Sequence, residues 1–110
     1  MGDDDPLDIV DMTNRTMRIY DIPKLKVIGA LSLIDQGELD WKIIAIEEEY
    51  AKDRKIRTIE QFNQRNPGAL AEVKEWFRTI KTYDGKPENK FAFDHFLSVD
   101  ETIEVILHNH

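Results

Sequence analysis

The sequence predicts an α+β domain in which the strands come first along the chain and the helices follow. Short apolar segments rich in β-branched residues occur up to residue 46, and apolar residues at helical spacing occur from residue 58 onward. The 110 residues, 41% of them hydrophobic, are enough for one core, and the absence of cysteine excludes a disulfide scaffold. We therefore expect residues 1–110 to form a single domain.

Three segments show strand patterns. Residues 7–12 alternate between apolar and polar side chains, and residues 25–34 form a branched apolar run. Gly29 interrupts that run, which predicts a β-bulge or a close approach at this position. Residues 35–40 have the composition of a turn, and residues 41–46 resume the strand pattern. The last two strands are therefore expected to form a hairpin.

Helix signals follow residues 47–57, which are so highly charged that we expect an exposed connection there. Thr58 with Gln61 predicts the start of a short helix. Asn66 before Pro67 predicts the cap and first position of a second helix, which should end near residues 84–85. Its apolar face is expected to comprise Leu70, Val73, Phe77 and Ile80.

A last helix is predicted by Ser98 and Glu101, which fit a capping box. Its apolar side is expected to comprise Val99, Ile103, Ile106 and Leu107. We interpret four aromatic residues as core rather than site: Trp41, Trp76, Phe91 and Phe93.

The charge balance narrows the function. The chain has 22 acidic and 15 basic residues, a net charge of −7, which argues against general binding to nucleic acid. Its apolar stretches are shorter than the ~18 residues of a membrane span, and its first residues do not resemble a secretory signal. We expect a domain that acts on small molecules or cations.

The sharpest local pattern is Asp3-x-Asp5-x-x-Asp8, with Pro6 restricting the backbone between the last two carboxylates. One reading is a solvated acidic terminus. The other is a metal site, for which magnesium or manganese is more natural than calcium, because Pro6 stands where the calcium loop of an EF-hand needs glycine.

A second pair of carboxylates, Asp35 and Asp40, brackets the predicted hairpin turn and would then emerge at one end of the sheet. Ordinary turn composition explains the same pair equally well. Lys42 and Lys81 are candidate phosphate ligands, although each alone also fits a solvated surface lysine. The histidines lack the spacing of a metal motif and are interpreted as structural or surface residues: His95, His108 and His110.

Together these residues resemble the soluble family I inorganic pyrophosphatases. Residues 3–9 (DDDPLDI) match the family's acidic signature, and residues 29–42 (GALSLIDQGELDWK) are similar to its second metal-binding segment. The eukaryotic branch in particular is resembled by residues 75–78 (EWFR), Lys81 and residues 84–93 (DGKPENKFAF). The implied fold is a partial OB-like antiparallel β-barrel followed by packed helices.

The resemblance implies magnesium-dependent hydrolysis of inorganic diphosphate to two orthophosphates, with manganese or another divalent ion as a substitute. By matching position, the metal ligands would be Asp3, Asp8, Asp35 and Asp40. Asp5 would orient or deprotonate the attacking water, and Lys42 and Lys81 would contact phosphate. A homodimer and a cytoplasmic location are the corresponding expectations, with an organelle as the alternative if a targeting segment precedes the chain.

Departures from the family pattern support a second hypothesis. The family's upstream section, with further phosphate-binding residues, has no counterpart here, so we expect the chain to be the C-terminal portion of a pyrophosphatase domain. Ile80 stands where the eukaryotic branch usually has a phosphate-contacting tyrosine. The alternative is therefore a non-catalytic pyrophosphatase-like chain that binds divalent cations or a partner subunit.

Overall fold

The computed structural model describes residues 8–13, 16–18, 24–35, 37–80, 85, 90–93 and 95–109, of which 16–18, 35 and 109 are described by backbone alone. Five strands and four helices lie within these residues. The strands are β1 (Asp8–Asp11), β2 (Thr16–Arg18), β3 (Leu25–Asp35), β4 (Glu38–Glu47) and β5 (Lys90–Phe91). The helices are α1 (Glu48–Arg54), α2 (Ile59–Arg65), α3 (Ala69–Thr79) and α4 (Val99–Asn109).

The strands form one mixed sheet in the order β2-β1-β4-β3-β5. β1 pairs with β4 in parallel, and the other pairings are antiparallel. The α+β prediction is confirmed, but the antiparallel arrangement expected for the strands does not extend to this one pair. β2 and β5 were not predicted, because three and two residues are too few to show a period.

Both faces of the sheet are buried. One face, carrying Val10, Leu31 and Ile44, packs with residues of α1, α2 and α3. The opposite face, carrying Ile9 and Ile43, packs with Leu97 and with residues of α4. The helices therefore close the core on both sides, and the side-chain alternation of each strand decides which helix layer a residue meets.

The predicted hairpin is confirmed, with a tighter turn than expected. Asp35 pairs with Glu38, so only two residues connect the strands, and Gly37 has a positive φ of 83°. Asp40 therefore lies inside β4, opposite Leu33, and not in the turn. The predicted irregularity at Gly29 is also confirmed, because the register shifts between Val27 and Gly29.

The expectation of an exposed connection over residues 47–57 was wrong, because α1 occupies most of it. Acidic Glu48 and Glu49 lie in its first turn and basic Lys52 and Arg54 in its last, which complements the helix dipole. Ala51 is buried under the helix. The charges that suggested a loop are instead the exposed side of a short helix.

The predicted start of α2 is confirmed, since the Thr58 hydroxyl accepts from the Gln61 N–H at 3.1 Å. The predicted start of α3 was wrong. Asn66 is the C-cap of α2, and α3 begins at Ala69 after Gly68. The predicted end near residues 84–85 was also wrong, because the helix ends at Thr79. Of its predicted apolar face, Leu70 and Phe77 are buried, and Val73 and Ile80 are half-buried.

The capping box of α4 is confirmed and reciprocal: Ser98 N–H donates to Glu101 Oε1 at 3.0 Å, and Glu101 N–H donates to Ser98 Oγ at 3.2 Å. The predicted apolar side was correct for Ile106 and wrong for Ile103 and Leu107. Thr102 is buried and Val105 and Ile106 pack on the sheet, whereas Ile103 and Leu107 are exposed. Two aromatic residues assigned to the core, Trp76 and Phe93, are also exposed.

Candidate functional site

The site is built on two neighbouring strands. In the parallel pairing of β1 with β4, Asp8 lies opposite Lys42. Asp40 precedes Lys42 by two positions on β4, so the two side chains leave the same face of the sheet. Sheet register therefore brings together three predicted site residues, of which Asp8 and Lys42 are distant in sequence.

Lys42 is the centre of this cluster. Its Nζ donates to Asp8 Oδ2 at 2.6 Å and lies 3.0 Å from Asp40 Oδ2. The Lys42 side chain is only 10% exposed, whereas those of Asp8 and Asp40 are 32% and 33% exposed. The ammonium is thus held inside, and both carboxylates reach solvent.

The protonation of Lys42 follows from this arrangement. Burial is the largest single influence and lowers its pKa, but the hydrogen bonds and negative charges of Asp8 and Asp40 together outweigh burial. The pKa of Lys42 is therefore raised above its usual value of 10.5. Lys42 is a cation at neutral pH, and its stabilising effect is present below pH 10.5 and lost only as the pH rises through the raised pKa.

A residue that was predicted for the core and not for the site, Phe77, also lies next to Lys42. The Lys42 Nζ lies 5.7 Å from the centroid of the Phe77 ring, within the range of a cation–π contact. Helical spacing predicted Phe77 as a core residue, which it also is. Sequence pattern carries no signal for the second role, because α3 must first pack on the sheet to bring the ring to Lys42.

The remaining predicted site residues are reported as far as the described residues allow. Asp35 is the last residue of β3, two positions beyond Leu33, which pairs with Asp40. Asp3, Asp5 and Lys81 lie outside the described residues. The structure therefore brings together Asp8, Asp40 and Lys42, and leaves the assembly of the full predicted set as a prediction.

Two carboxylates of the cluster suit a hard cation. Mg²⁺ prefers oxygen ligands and is commonly held by one or two protein carboxylates together with water and substrate phosphate. Asp8 and Asp40 fit that habit, being partly exposed and close enough for one nitrogen to contact both. Within the described ranges, no three His, Cys, Asp or Glu side chains form a metal-binding group.

The histidine interpretation agrees with the structure where it is described. His95 is exposed, and His108 lies on the surface of α4 with its Nε2 at 3.1 Å from Glu104 Oε2. His110 lies outside the described residues.

A separate groove of about 880 Å³ lies between the start of β3, α1 and α4. Its lining includes apolar residues, the carboxylate of Glu48 and four cationic residues: Lys26, Lys52, Lys55 and Arg57. The residues that line this groove do not include Asp8, Asp40 or Lys42. We place the candidate site at the carboxylates and not at this groove, because the groove lacks the groups that the predicted chemistry needs.

Comparison with known proteins identifies the family of the chain. The model of the inorganic pyrophosphatase family matches residues 1–110. An inorganic pyrophosphatase of Drosophila melanogaster is 45% identical over 93 residues, covering 84% of this chain and 28% of that protein. Soluble inorganic pyrophosphatase 6, chloroplastic, of Arabidopsis thaliana is 40% identical over 106 residues, covering 96% of this chain and 35% of that protein.

The fold is shared as well. The structure of inorganic pyrophosphatase from Schistosoma japonicum superposes with a TM-score of 0.82 and 31% identity, covering 98% of this chain and 38% of that one. The chain belongs to the inorganic pyrophosphatase family. It spans about a third of the length of the relatives that it matches. In the described part of the chain, no helix is both long and apolar enough to cross a membrane.

Proposed function

We propose that this chain carries the carboxylate-rich part of a site for the magnesium-dependent hydrolysis of inorganic diphosphate to two orthophosphates. The observation that carries the proposal is the contact of Lys42 with Asp8 and Asp40 in a chain of the inorganic pyrophosphatase family. A buried cation between two partly exposed carboxylates provides groups for both the metal ion and the phosphate of such a reaction. The carboxylates suit a divalent ion and the ammonium suits a phosphate oxygen.

We assign four carboxylates to metal binding: Asp3, Asp8, Asp35 and Asp40. Magnesium is the proposed ion, and manganese is a plausible substitute because it accepts the same oxygen ligands. When bound, such ions lower the pKa of the attacking water and neutralise charge on the diphosphate. The tight turn of the β3–β4 hairpin supports the joint use of Asp35 and Asp40, which lie on adjacent strands near that turn.

The other residues act on the water and the phosphates. Asp5 orients the attacking water or takes its proton, which requires a carboxylate within hydrogen-bonding reach of that water. Lys42 and Lys81 bind phosphate oxygens and stabilise the negative charge on the departing phosphate. The cation–π contact with the Phe77 ring favours particular positions of the Lys42 ammonium, and this helps to orient the ammonium for a phosphate oxygen.

A second candidate function is a non-catalytic chain that binds divalent cations or a partner subunit. Ile80 favours it, because it stands half-buried at the end of α3 where the family resemblance leads us to expect a tyrosine hydroxyl. The partner would be a second copy of the chain, and the cytoplasm is the proposed location, with an organelle as the alternative.

Phosphate release from diphosphate tests the first proposal. With the 110-residue chain we expect release that requires Mg²⁺ and falls about 100-fold or more in Asp5→Asn and Asp40→Asn, because each removes a charge used at the reacting centre. Asp53→Asn is the matched control, since Asp53 is an exposed residue of α1. It should retain the activity of the parent chain.

The outcomes separate the two functions. No release from the parent chain, combined with a rise in melting temperature on adding Mg²⁺ that Asp40→Asn abolishes, would support the cation-binding alternative. Equal release from the parent chain and from Asp40→Asn would contradict the proposed site. If the parent chain shows no phosphate release and no Mg²⁺-dependent rise in melting temperature, both the catalytic and the cation-binding proposals are contradicted.

A further inference from the structure

The Lys42 ammonium already contacts carboxylate oxygens that a metal ion would use, so a metal ion would have to compete with it for them. Its ammonium nitrogen lies 2.6 Å from Asp8 Oδ2 and 3.0 Å from Asp40 Oδ2. Those oxygens belong to two of the carboxylates that we assign to metal binding. The same nitrogen lies 5.7 Å from the centroid of the Phe77 ring. It is therefore a mostly buried cation that is already paired with both of the proposed ligands.

We propose that Lys42 is an internal counter-cation that a divalent ion must displace from Asp8 and Asp40, and that this displacement frees the ammonium to bind a phosphate oxygen. The inference rests on the proposed function, since it assigns a metal to these carboxylates. It adds a coupling between two events: the same exchange that loads the cation releases the phosphate-binding group.

Sterics and charge both favour exchange over coexistence. Mg²⁺ binds oxygen at about 2.0–2.1 Å and holds further oxygen ligands in a near-ideal octahedron, so an ammonium hydrogen-bonded to the same two oxygens competes with the ion for their lone pairs. A dication and an ammonium also repel strongly at such distances. Only the head of the lysine needs to move, because its backbone is held in β4 between β1 and β3.

The partial exposure of the carboxylates makes the exchange possible. Asp8 and Asp40 are each about one-third exposed, 32% and 33%, so a hydrated ion can approach them from solvent. The flexible four-carbon stem of lysine allows its ammonium to turn without a change in the strand. An incoming phosphate would then meet a cation that is no longer paired with both carboxylates.

The first test observes the lysine ammonium groups of the 110-residue chain by ¹H–¹⁵N NMR during titration with MgCl₂. The Lys42 signal is assigned by its disappearance in Lys42→Arg, which keeps the positive charge. We expect this signal to be present without Mg²⁺, because the group is buried and hydrogen-bonded, and to shift or disappear as the ion binds. A Lys42 signal unchanged at Mg²⁺ saturation would overturn the proposal.

The second test measures Mg²⁺ affinity by calorimetry. Lys42→Met removes the competing cation and should bind Mg²⁺ at least about tenfold more tightly than the parent chain. Lys26→Met is the matched control: it removes the same charge from β3, and Lys26 pairs with Ile46, about 13 Å along β4 from Lys42 at 3.3 Å per residue. It should leave the affinity unchanged.

The results distinguish this inference from the proposed function. Mg²⁺ binding to the parent chain with equal or weaker binding to folded Lys42→Met would overturn displacement and leave the metal assignment standing. Absence of Mg²⁺ binding in both proteins would overturn the metal assignment and displacement together. If Lys42→Met does not fold, the NMR titration of the parent chain decides the question.

Discussion

At the residue scale, Gly29 shows how a single position controls packing between the sheet and the elements around it. A Cβ at this position would lie 2.5 Å from Ile59 Cγ1 and 2.6 Å from the carbonyl oxygen of Leu97. The carbonyl oxygen belongs to the backbone and cannot rotate away as a side chain can. Gly29 is therefore required by space, whereas Gly37 and Gly68 have positive φ angles with open space beside them.

We predict that Gly29→Ala lowers the free energy of unfolding by about 2–3 kcal/mol, because β3 must move away from α2 and Leu97. Gly37→Ala is the comparison, with a cost of about 1 kcal/mol that comes from its left-handed backbone alone. Urea denaturation of both variants measures the two effects. A smaller cost at Gly29 than at Gly37 would contradict the close approach.

The same scale shows what residue patterns can predict of the site. Asp8, Asp40 and Lys42 were selected by residue type, by spacing and by family resemblance. Their mutual contacts were not predictable from pattern, because the Asp8–Lys42 contact joins residues 34 positions apart through a parallel strand pairing. Local patterns report on neighbours in the chain, and this cluster depends on the order of strands in the sheet.

At the scale of elements, the sequence predicted best where a helix begins with a specific hydrogen bond. The capping residues Thr58 and Ser98 were located correctly because their short side chains satisfy free N–H groups in the first turn. Helix α1 was missed because the side chain of its N-cap residue, Glu47, makes no capping hydrogen bond to the first turn. The packed side of α4 was misjudged because Thr102, a polar residue, is the one buried most completely.

We predict a pH-dependent role for the α4 capping box. The pKa of Glu101 is lowered from its usual 4.5, first because the Ser98 N–H donates to the carboxylate and second through the Ser98 side chain. Glu101 therefore stabilises the fold fully above pH 4.5 and loses this effect as the pH falls through the lowered pKa. Thermal unfolding should show a destabilised Glu101→Gln at neutral pH and a smaller difference in acid.

Ser98→Ala provides the matched comparison for that experiment. It removes the hydroxyl acceptor of the Glu101 N–H, which is worth about 1 kcal/mol, and leaves the Ser98 N–H in place. The part of its cost that comes from this lost cap should persist at acidic pH. A difference between Glu101→Gln and the parent chain that stays constant from neutral pH to below the lowered pKa would contradict the assigned role of the carboxylate.

At the scale of the whole molecule, the mixed sheet joins local and distant parts of the chain. The β3–β4 hairpin closes through a two-residue turn, whereas β1 reaches β4 only after the chain has passed through β2 and β3. Strand patterns predicted the hairpin because its signals are adjacent in sequence. The parallel pairing of β1 was not predicted, since nothing within residues 7–12 specifies which strand they will meet.

We predict that the hairpin forms before β1 docks, because closing a long loop costs more entropy than closing a short one. Ile9 and Ile43 form a matched pair, being register partners and each 1% exposed. Each Ile→Val change should cost about 1 kcal/mol at equilibrium. In stopped-flow experiments, Ile43→Val should slow folding and Ile9→Val should mainly speed unfolding. If both variants divide their loss of stability in the same way between the folding rate and the unfolding rate, this order of events is contradicted.

The parallel strand also determines when the site becomes complete. Asp8 arrives with β1, so a chain that has formed the hairpin but not docked β1 presents Lys42 and Asp40 without their third partner. If the proposed cation binds through Asp8 and Asp40, it recognises only the finished sheet. Magnesium should then act as a latch, slowing the departure of β1 while leaving the rate of folding almost unchanged.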